Sequence, residues 1–329
     1  MKKYAGLVLA VCALAFGAVP AMAQQNLTTV SLGLTSKTAN EWAEYVADTL
    51  GFFTANGVKV DMIYTGSAAN GAQQLTAGSL DISEISSTQV IEAIQGGAPI
   101  TIIVEHGTKA PYFVLGKKGV TSLAALKGKT VIVGGPNDIT RVFMDKVLAS
   151  AKLKPDDYNY TYAGATTERF AALLSGGVDA AILFPPFAYR ASSQGYPVLA
   201  EISTFFPTFL FDGFAAKPDW AKAHSDVVVR FIKGYLQGVR WLYDPANKAR
   251  AIQILSETTN TAPEDAAQTY DLFIAKLHVF SANGVPSNAS LGPVIDALVN
   301  LGQVKPPAPP AARFFDATYV NQANAQLRR

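Results

Sequence analysis

The sequence predicts an α/β fold in two parts, with parallel sheets covered by helices on both faces. Three observations predict it. Short β-branched runs alternate with longer helical patterns, the signature of strand–helix–strand units. The alternation starts afresh after the His106 to Pro111 stretch. Beyond Pro218 the pattern is almost entirely helical.

Thr28 to Leu34 (TTVSLGL) reads as a strand and Asn40 to Phe53 as an amphipathic helix. Val58 to Tyr64 is a strand, followed by a Gly-Ser turn and a helix from Ala69 to Ala77. Leu80 to Ile85 and Ile100 to Glu105 are further strands. In the second section Lys129 to Val133, Tyr158 to Tyr162 and Val178 to Phe184 read as strands. Thr140 to Ala151 and Arg169 to Leu174 read as the helices between them. The C-terminal helices are Ala221 to Tyr243, Lys248 to Glu257, Pro263 to Lys276 and Leu291 to Leu301. The Pro-rich stretch Lys305 to Pro310 cannot be helical and is expected to run extended.

Two loops interrupt the alternation, His106 to Pro111 and the aromatic stretch Ser203 to Asp212, which contains Pro207. Two joints imply a discontinuous first domain with the middle segment forming the second. A ligand would then bind in the cleft between them.

The first 23 residues have the layout of a secretory signal peptide: basic Lys2-Lys3, an apolar run from Leu7 to Ala18, and the small-x-small site Ala21-Met22-Ala23. The run is well short of the ~20 residues that cross a bilayer as a helix. Cleavage after Ala23 removes Cys12, the single cysteine, and lowers the formal charge from +2 to 0. The remaining chain is expected to work without disulfides, cysteine metal sites or thiol chemistry. A neutral surface with no basic tract speaks against nucleic acid as a partner.

Four hydroxyl-rich starts follow strands and open helices: Gly66-Ser67, Ser86-Ser87-Thr88, the Gly134 to Thr140 turn, and Gly164 to Thr167. In open α/β sheets ligands collect at the carboxyl ends of strands, where helix N-termini offer N–H groups to an anion or polar ligand. Ser67 is equally a cap for its own helix, and Asp138 or Thr140 for theirs. Arg141 sits in a first helical turn, where a cation is unfavourable by ~0.3–1 kcal/mol unless something negative is near. A bound anion or a carboxylate such as Asp138 would offset it. Trp42 and the Phe184 to Phe187 corner offer flat apolar surface for a ring, or core.

Signatures of catalysis are missing. His106, His224 and His278 are far apart, and no HExxH, GxSxG, Walker loop or GxGxxG stands in the required context. Asp212 and Glu84 are acids that nothing in the sequence places together.

A series of short elements carries a resemblance. It runs Leu50-Gly51-Phe52-Phe53, Gly57-Val58-Lys59-Val60, Gly66-Ser67, and Leu75 to Asp81 (LTAGSLD). It continues with Gly96-Gly97-Ala98-Pro99, Ser122 to Lys129 (SLAALKGK) and Gly176 to Ala181 (GGVDAA). In this order they resemble the periplasmic solute-binding proteins of nitrate/sulfonate/taurine and thiamine-pyrimidine ABC importers, over nearly the whole chain after residue 23.

The resemblance implies a bilobed periplasmic-binding-protein fold of type II, with two doubly wound mixed sheets joined by two hinge segments. The parts would be a signal peptide (1–23), the first part of lobe I (24–108), lobe II (109–205), and the return to lobe I with the C-terminal helices (206–329). It implies a periplasmic monomer that captures a small solute (sulfonate, aromatic acid or pyrimidine-like) and delivers it to an inner-membrane ABC permease. A receptor of a TRAP-type importer shares the fold and stays open as the alternative. No enzymatic activity, cofactor or metal is implied. The resemblance extends to thiamine-pyrimidine synthases with a cysteine-rich iron site, but no cysteine follows residue 23, so that reading fails. Carried over by position, the Thr35 to Asn40 loop (with Thr35, Ser36 and Asn40), Ser67, the turn of Ser86, Ser87 and Thr88, Asn137 and Thr140 should border the cleft. Thr166 joins them, with Arg141 for an anionic end and Trp42 and Phe187 for a ring or alkyl part. Glu84 departs from the small residue expected after Asp81-Ile82-Ser83. Facing the cleft, it would disfavour a simple anion and suit an amine, hydroxyl or ring nitrogen.

Overall fold

The computed structural model describes residues 27–206, 209–300 and 302–328. The signal-peptide segment, Cys12 and Pro207 lie outside them. The first section folds as β1 (Thr28–Leu34), α1 (Trp42–Thr49), α2 (Phe52–Ala55), β2 (Val58–Tyr64), α3 (Ala68–Ala77), β3 (Ile82–Ser86), α4 (Ser87–Gln95) and β4 (Thr101–Glu105). The middle section holds β5 (Phe113–Gly116), β6 (Thr130–Val133), α5 (Ile139–Ser150), β7 (Asn159–Tyr162), α6 (Thr166–Leu174), β8 (Ala180–Leu183), α7 (Phe187–Ser193) and β9 (Val198–Glu201). The chain then adds β10 (Asp212–Ala216), α8 (Pro218–Ala223), α9 (Ser225–Leu242), α10 (Lys248–Thr259), α11 (Pro263–Tyr270), α12 (Asn288–Asn300) and α13 (Thr318–Leu327).

These elements build two five-stranded mixed sheets of matching design. The first has the order β2-β1-β3-β10-β4 and the second β7-β6-β8-β5-β9. In each, four strands run in one direction and a strand from beyond the joint inserts antiparallel between two of them: β10 between β3 and β4, β5 between β8 and β9. The expected α/β fold in two lobes is therefore present, and its sheets are mixed. The alternation alone predicted parallel sheets. The antiparallel strands β5 and β10 are four and five residues long, and β10 (DGFAA) has no β-branched residue to mark it.

Two helices read as continuous are split. Asn40 to Phe53 breaks into α1 and α2 at Gly51, which adopts φ 74°, a left-handed conformation that favours glycine. Ala221 to Tyr243 breaks into α8 and α9 at His224. Helix α9 carries the first lobe's packing, burying Val228, Phe231, Ile232, Tyr235 and Val239 on one face. Gly234 and Gly238, one turn apart on α9, bring it against α2 and α1. A Cβ at Gly234 would stand 2.7 Å from the Phe53 ring, and one at Gly238 would stand 2.5 Å from the Ala43 carbonyl oxygen. Trp42 locks the other side of α1, its indole N–H donating to the Ala251 carbonyl at 3.1 Å and its ring meeting Tyr270 edge-on. So held, α1 fixes the Thr35 to Glu41 loop that leads into it.

Among the described residues no helix is long and apolar enough to cross a membrane.

Candidate ligand-binding site

Two segments cross between the sheets, one from β4 to β5 and one from β9 to β10. They touch at their lobe I ends: the Phe211 amide donates to the Gly107 carbonyl at 2.8 Å, and the His106 amide to the Asp212 carbonyl at 3.2 Å. Above them lies a narrow cleft that the lobes close down to a cavity of about 40 Å³, room for a few water-sized groups in this arrangement. Lobe I contributes Thr35, Ser36, Thr38, Asn40, Glu41, Glu84 and Ser86 to its wall, and lobe II contributes Thr140, Thr166 and Arg169. Tyr112, Phe184 and Phe211 form an aromatic corner, with Tyr112 edge-on to both phenylalanines at 4.6 and 5.5 Å.

The lobes meet across this cleft at several points. The Ala39 amide donates to the Pro185 carbonyl at 3.1 Å, and Gln89 Nε2 to the Asn137 carbonyl at 3.0 Å. Gly164 lies flat against the Gly66–Ser67 peptide, so close that a Cβ there would stand 2.5 Å from the Ser67 Cβ.

A buried polar chain runs from the cleft to the hinge. Asn40 Nδ2 donates to Glu84 Oε1 at 2.9 Å and to Asp212 Oδ2 at 2.6 Å. Asp212 Oδ1 accepts from the Gly107 amide at 2.7 Å and pairs with His106 Nδ1 at 2.9 Å. On the far side of the ring, His106 Nε2 stands 3.1 Å from Glu44 Oε1, near enough for an ion pair though out of hydrogen-bond alignment. Burial alone would push the imidazole down, but the Glu44 and Asp212 carboxylates outweigh it and raise its pKa to about 10. Burial likewise opposes ionisation of Asp212, yet the His106 charge and its hydrogen bonds hold it below the usual carboxylate range. Glu84 goes the other way: burial and then the adjacent Asp212 charge raise it well above that range. Burial also raises Glu41 to about 8, against the stabilising bonds its Oε2 accepts from Thr38 N at 3.0 Å and Thr38 Oγ1 at 2.8 Å.

Arg169 is 1% exposed and has no carboxylate partner. It donates to the carbonyls of Ile182, Ala163 and Gly164 and to Thr166 Oγ1, at 2.7 to 2.9 Å. It ties the start of α6 to the end of β8.

Of the residues singled out in the sequence, Thr35, Ser36, Asn40, Ser86, Thr140 and Thr166 reach the cleft wall. Ser67 does not; its hydroxyl caps α3 by accepting from the Asn70 amide at 3.1 Å. Ser87 donates to the Leu210 carbonyl at 2.6 Å, and Thr88 is buried beside Ser86 Oγ at 3.4 Å. Trp42 lies in the core described above. Asn137 borders a neighbouring opening with Ser67 and Tyr162. Phe187 packs on Phe170. Arg141 points away from the cleft, pairing with Asp145 at 3.0 Å and lying 4.0 Å over the Tyr160 ring. Its carboxylate partner is thus one turn along α5, while Asp138 caps that helix through the Thr140 amide. By contrast, α4 and α6 have no side-chain cap.

Thr38 reaches the cleft with the rest of the Thr35 to Asn40 loop, whereas sequence reasoning missed Glu41, Tyr112, Arg169 and Phe211 as cleft residues. Arg169 carried the same signal that drew attention to Arg141, a cation in the first turn of a helix. The others owe their place to the crossing segments and to the loop before α1.

Known proteins of similar sequence and shape bear on this arrangement. One curated relative, named as an ABC transporter periplasmic binding protein of Brachyspira hyodysenteriae, is 22% identical over 209 residues. That match spans 59% of either chain. The binding protein YtlA of Bacillus subtilis is 24% identical over 247 residues, 72% of either chain. Among solved structures, the periplasmic nitrate-binding protein NrtA of Synechocystis PCC 6803 superposes with a TM-score of 0.80 at 14% identity, covering 92% of this chain and 89% of that one. The alkanesulfonate-binding protein SsuA of Xanthomonas axonopodis, bound to MOPS, gives 0.73 at 17%, covering 88% and 99%. The desulfurization enzyme DszB gives 0.64 at 12%, covering 91% and 100%, so one fold serves receptors and an enzyme alike. The sequence match to the family model extends over residues 38–249, from the loop before α1 into α10, and by it the chain belongs to the NMT1/THI5-like family.

Proposed function

We propose that the chain is a periplasmic substrate-binding protein that captures a small organic solute between its lobes and hands it to an ABC-type permease. One observation carries the reading: buried polar side chains from both lobes and an aromatic corner converge on a cleft that the lobes close. Solute binding would stabilise the closed arrangement by hinge motion about the two crossing segments, and the permease would read the closed form. The curated relatives named as binding proteins support this class, and the signal-like first 23 residues support export. The protein would act as a monomer without cofactor, and without catalysis of its own.

A thermal-unfolding screen tests it, using protein purified from the periplasm of an expressing host. The panel holds sulfonates, nitrate, aromatic carboxylates, pyrimidines and short amines. A ligand at 100 times its Kd stabilises by about 2.7 kcal/mol, readily seen as a melting shift. A panel-wide absence of shift, with mass spectrometry showing no retained ligand, would count against the proposal.

A further inference from the structure

Two buried acceptors narrow the chemistry of the solute. Asn40 gives both amide N–H groups to carboxylates, Glu84 Oε1 and Asp212 Oδ2. The Asp212 carboxylate can only accept, so the amide nitrogen faces it and Oδ1 is turned away. That Oδ1 is buried and without a partner, and so is Glu84 Oε2. Both side chains line the cleft, at 5% and 3% exposure. An amide oxygen can only accept, and buried polar groups are nearly always paired, so these two atoms call for donors from a ligand.

The surrounding charges agree. Glu41 also lines the cleft, and Glu44 and Asp212 stand behind with His106 paired between them. Among the described residues the one cation on the cleft wall is Arg169, with four of its N–H groups committed to protein oxygens. Nitrate or a sulfonate would set acceptor against acceptor at Asn40.

We infer that the cleft selects a solute bearing an ammonium or amidinium group, whose N–H donors pair with Glu84 Oε2 and Asn40 Oδ1. The inference rests on the receptor reading and narrows it to one charge class. Tyr112, Phe184 and Phe211 receive the apolar part of such a solute, and aromatic faces suit a cation. Burial and then the neighbouring Asp212 favour a proton on Glu84, and pairing with the cation would release it to solvent. The alternative, a neutral Glu84 donating that proton to an anion, makes the opposite forecast for a glutamine in its place, because glutamine keeps a donor and cannot ionise.

Isothermal titration of the full chain with five matched probes decides it: benzamidine, benzylamine, benzamide, benzoate and benzenesulfonate. The two cations are expected to bind more tightly than the other three. Glu84→Gln, nearly the same shape, should weaken them at least about tenfold, as expected when a charge-assisted contact becomes neutral. Tighter binding of benzoate or benzenesulfonate, or cation affinity unchanged in folded Glu84→Gln, overturns the inference and leaves the receptor reading standing. Binding of benzamide or either acid while both cations stay silent overturns it equally. Silence of all five overturns the inference, and the receptor reading falls with it only if the wider thermal-unfolding panel is silent and no retained ligand is found. Should Glu84→Gln fail to fold, the ranking of the five probes on the natural chain decides alone.

Discussion

His106 and Asp212 stand 2.9 Å apart, Nδ1 to Oδ1, at the point where the two crossing segments leave the first lobe. His106 directly follows β4 and Asp212 opens β10, so one buried ion pair staples both hinge segments at their root. With the imidazole pKa raised to about 10 from an ordinary 6.5, the folded state binds a proton that the unfolded chain releases near neutrality. Stability from this group is therefore complete below about pH 6.5 and is lost as pH rises toward 10. Chemical denaturation across that window should show stability falling with pH. His106→Gln should flatten the slope and cost roughly 3–5 kcal/mol at neutral pH, the usual loss when a buried pair is broken.

Glu41 gives a second slope lower on the scale. Burial raises its pKa from 4.5 to about 8, so again the folded state holds the extra proton. Stability from Glu41 is greatest below about pH 4.5 and declines as pH rises through 8. Glu41→Gln, which keeps an oxygen to accept from Thr38, should remove that decline and leave the protein more stable than the natural chain at pH 8. Melting temperatures of the two proteins from pH 5 to 9 check it, with curves that separate progressively from about pH 5 and run parallel above about 8.

The structure also marks where residue patterns stop being informative. Strands β1 and β2 were readable to the residue because seven-residue runs of β-branched and apolar side chains stand between clear turns. Strand β10 was not, since its pairing with β3 and β4 depends on a chain return more than a hundred residues later than β4. The site divides along the same line. Hydroxyls at helix starts, such as Ser86 and Thr166, are local signals and reach the cleft. Glu84 and Asp212 meet through the β3–β10 pairing, 128 positions apart, with Asn40 joining them from a third segment. Only assembly of the sheet brings them together.

Gly164 offers a test of lobe closure. Any side chain at this position would collide with the Gly66 carbonyl oxygen and with Ser67 on the opposite lobe. Gly164→Ala should therefore disfavour the closed arrangement while leaving both lobes intact. Since apparent affinity scales with the population of the competent state, solute binding should weaken at least about tenfold, ~1.4 kcal/mol. Small-angle scattering of Gly164→Ala with ligand should stay at the larger radius of the open form. A radius matching the liganded natural protein would mean that the lobes close some other way.

Arg141 and Arg169 begin as similar signals in the sequence and should behave oppositely. Arg141 lies over Tyr160 and pairs with half-exposed Asp145 on its own helix. Exposed contacts of this kind are worth at most about 1 kcal/mol, so Arg141→Ala should change stability little and ligand affinity not at all. Arg169 is buried, and removing it takes a donor from each of the carbonyls of Ile182, Ala163 and Gly164. At about 1–3 kcal/mol for each buried group left unpaired, Arg169→Met should cost roughly 3 kcal/mol or more. It should also loosen the Gly164 turn that closes on Ser67, so affinity falls along with stability. Denaturation midpoints and titrations of the two variants side by side separate these outcomes; an affinity loss in Arg141→Ala would restore it to the binding site.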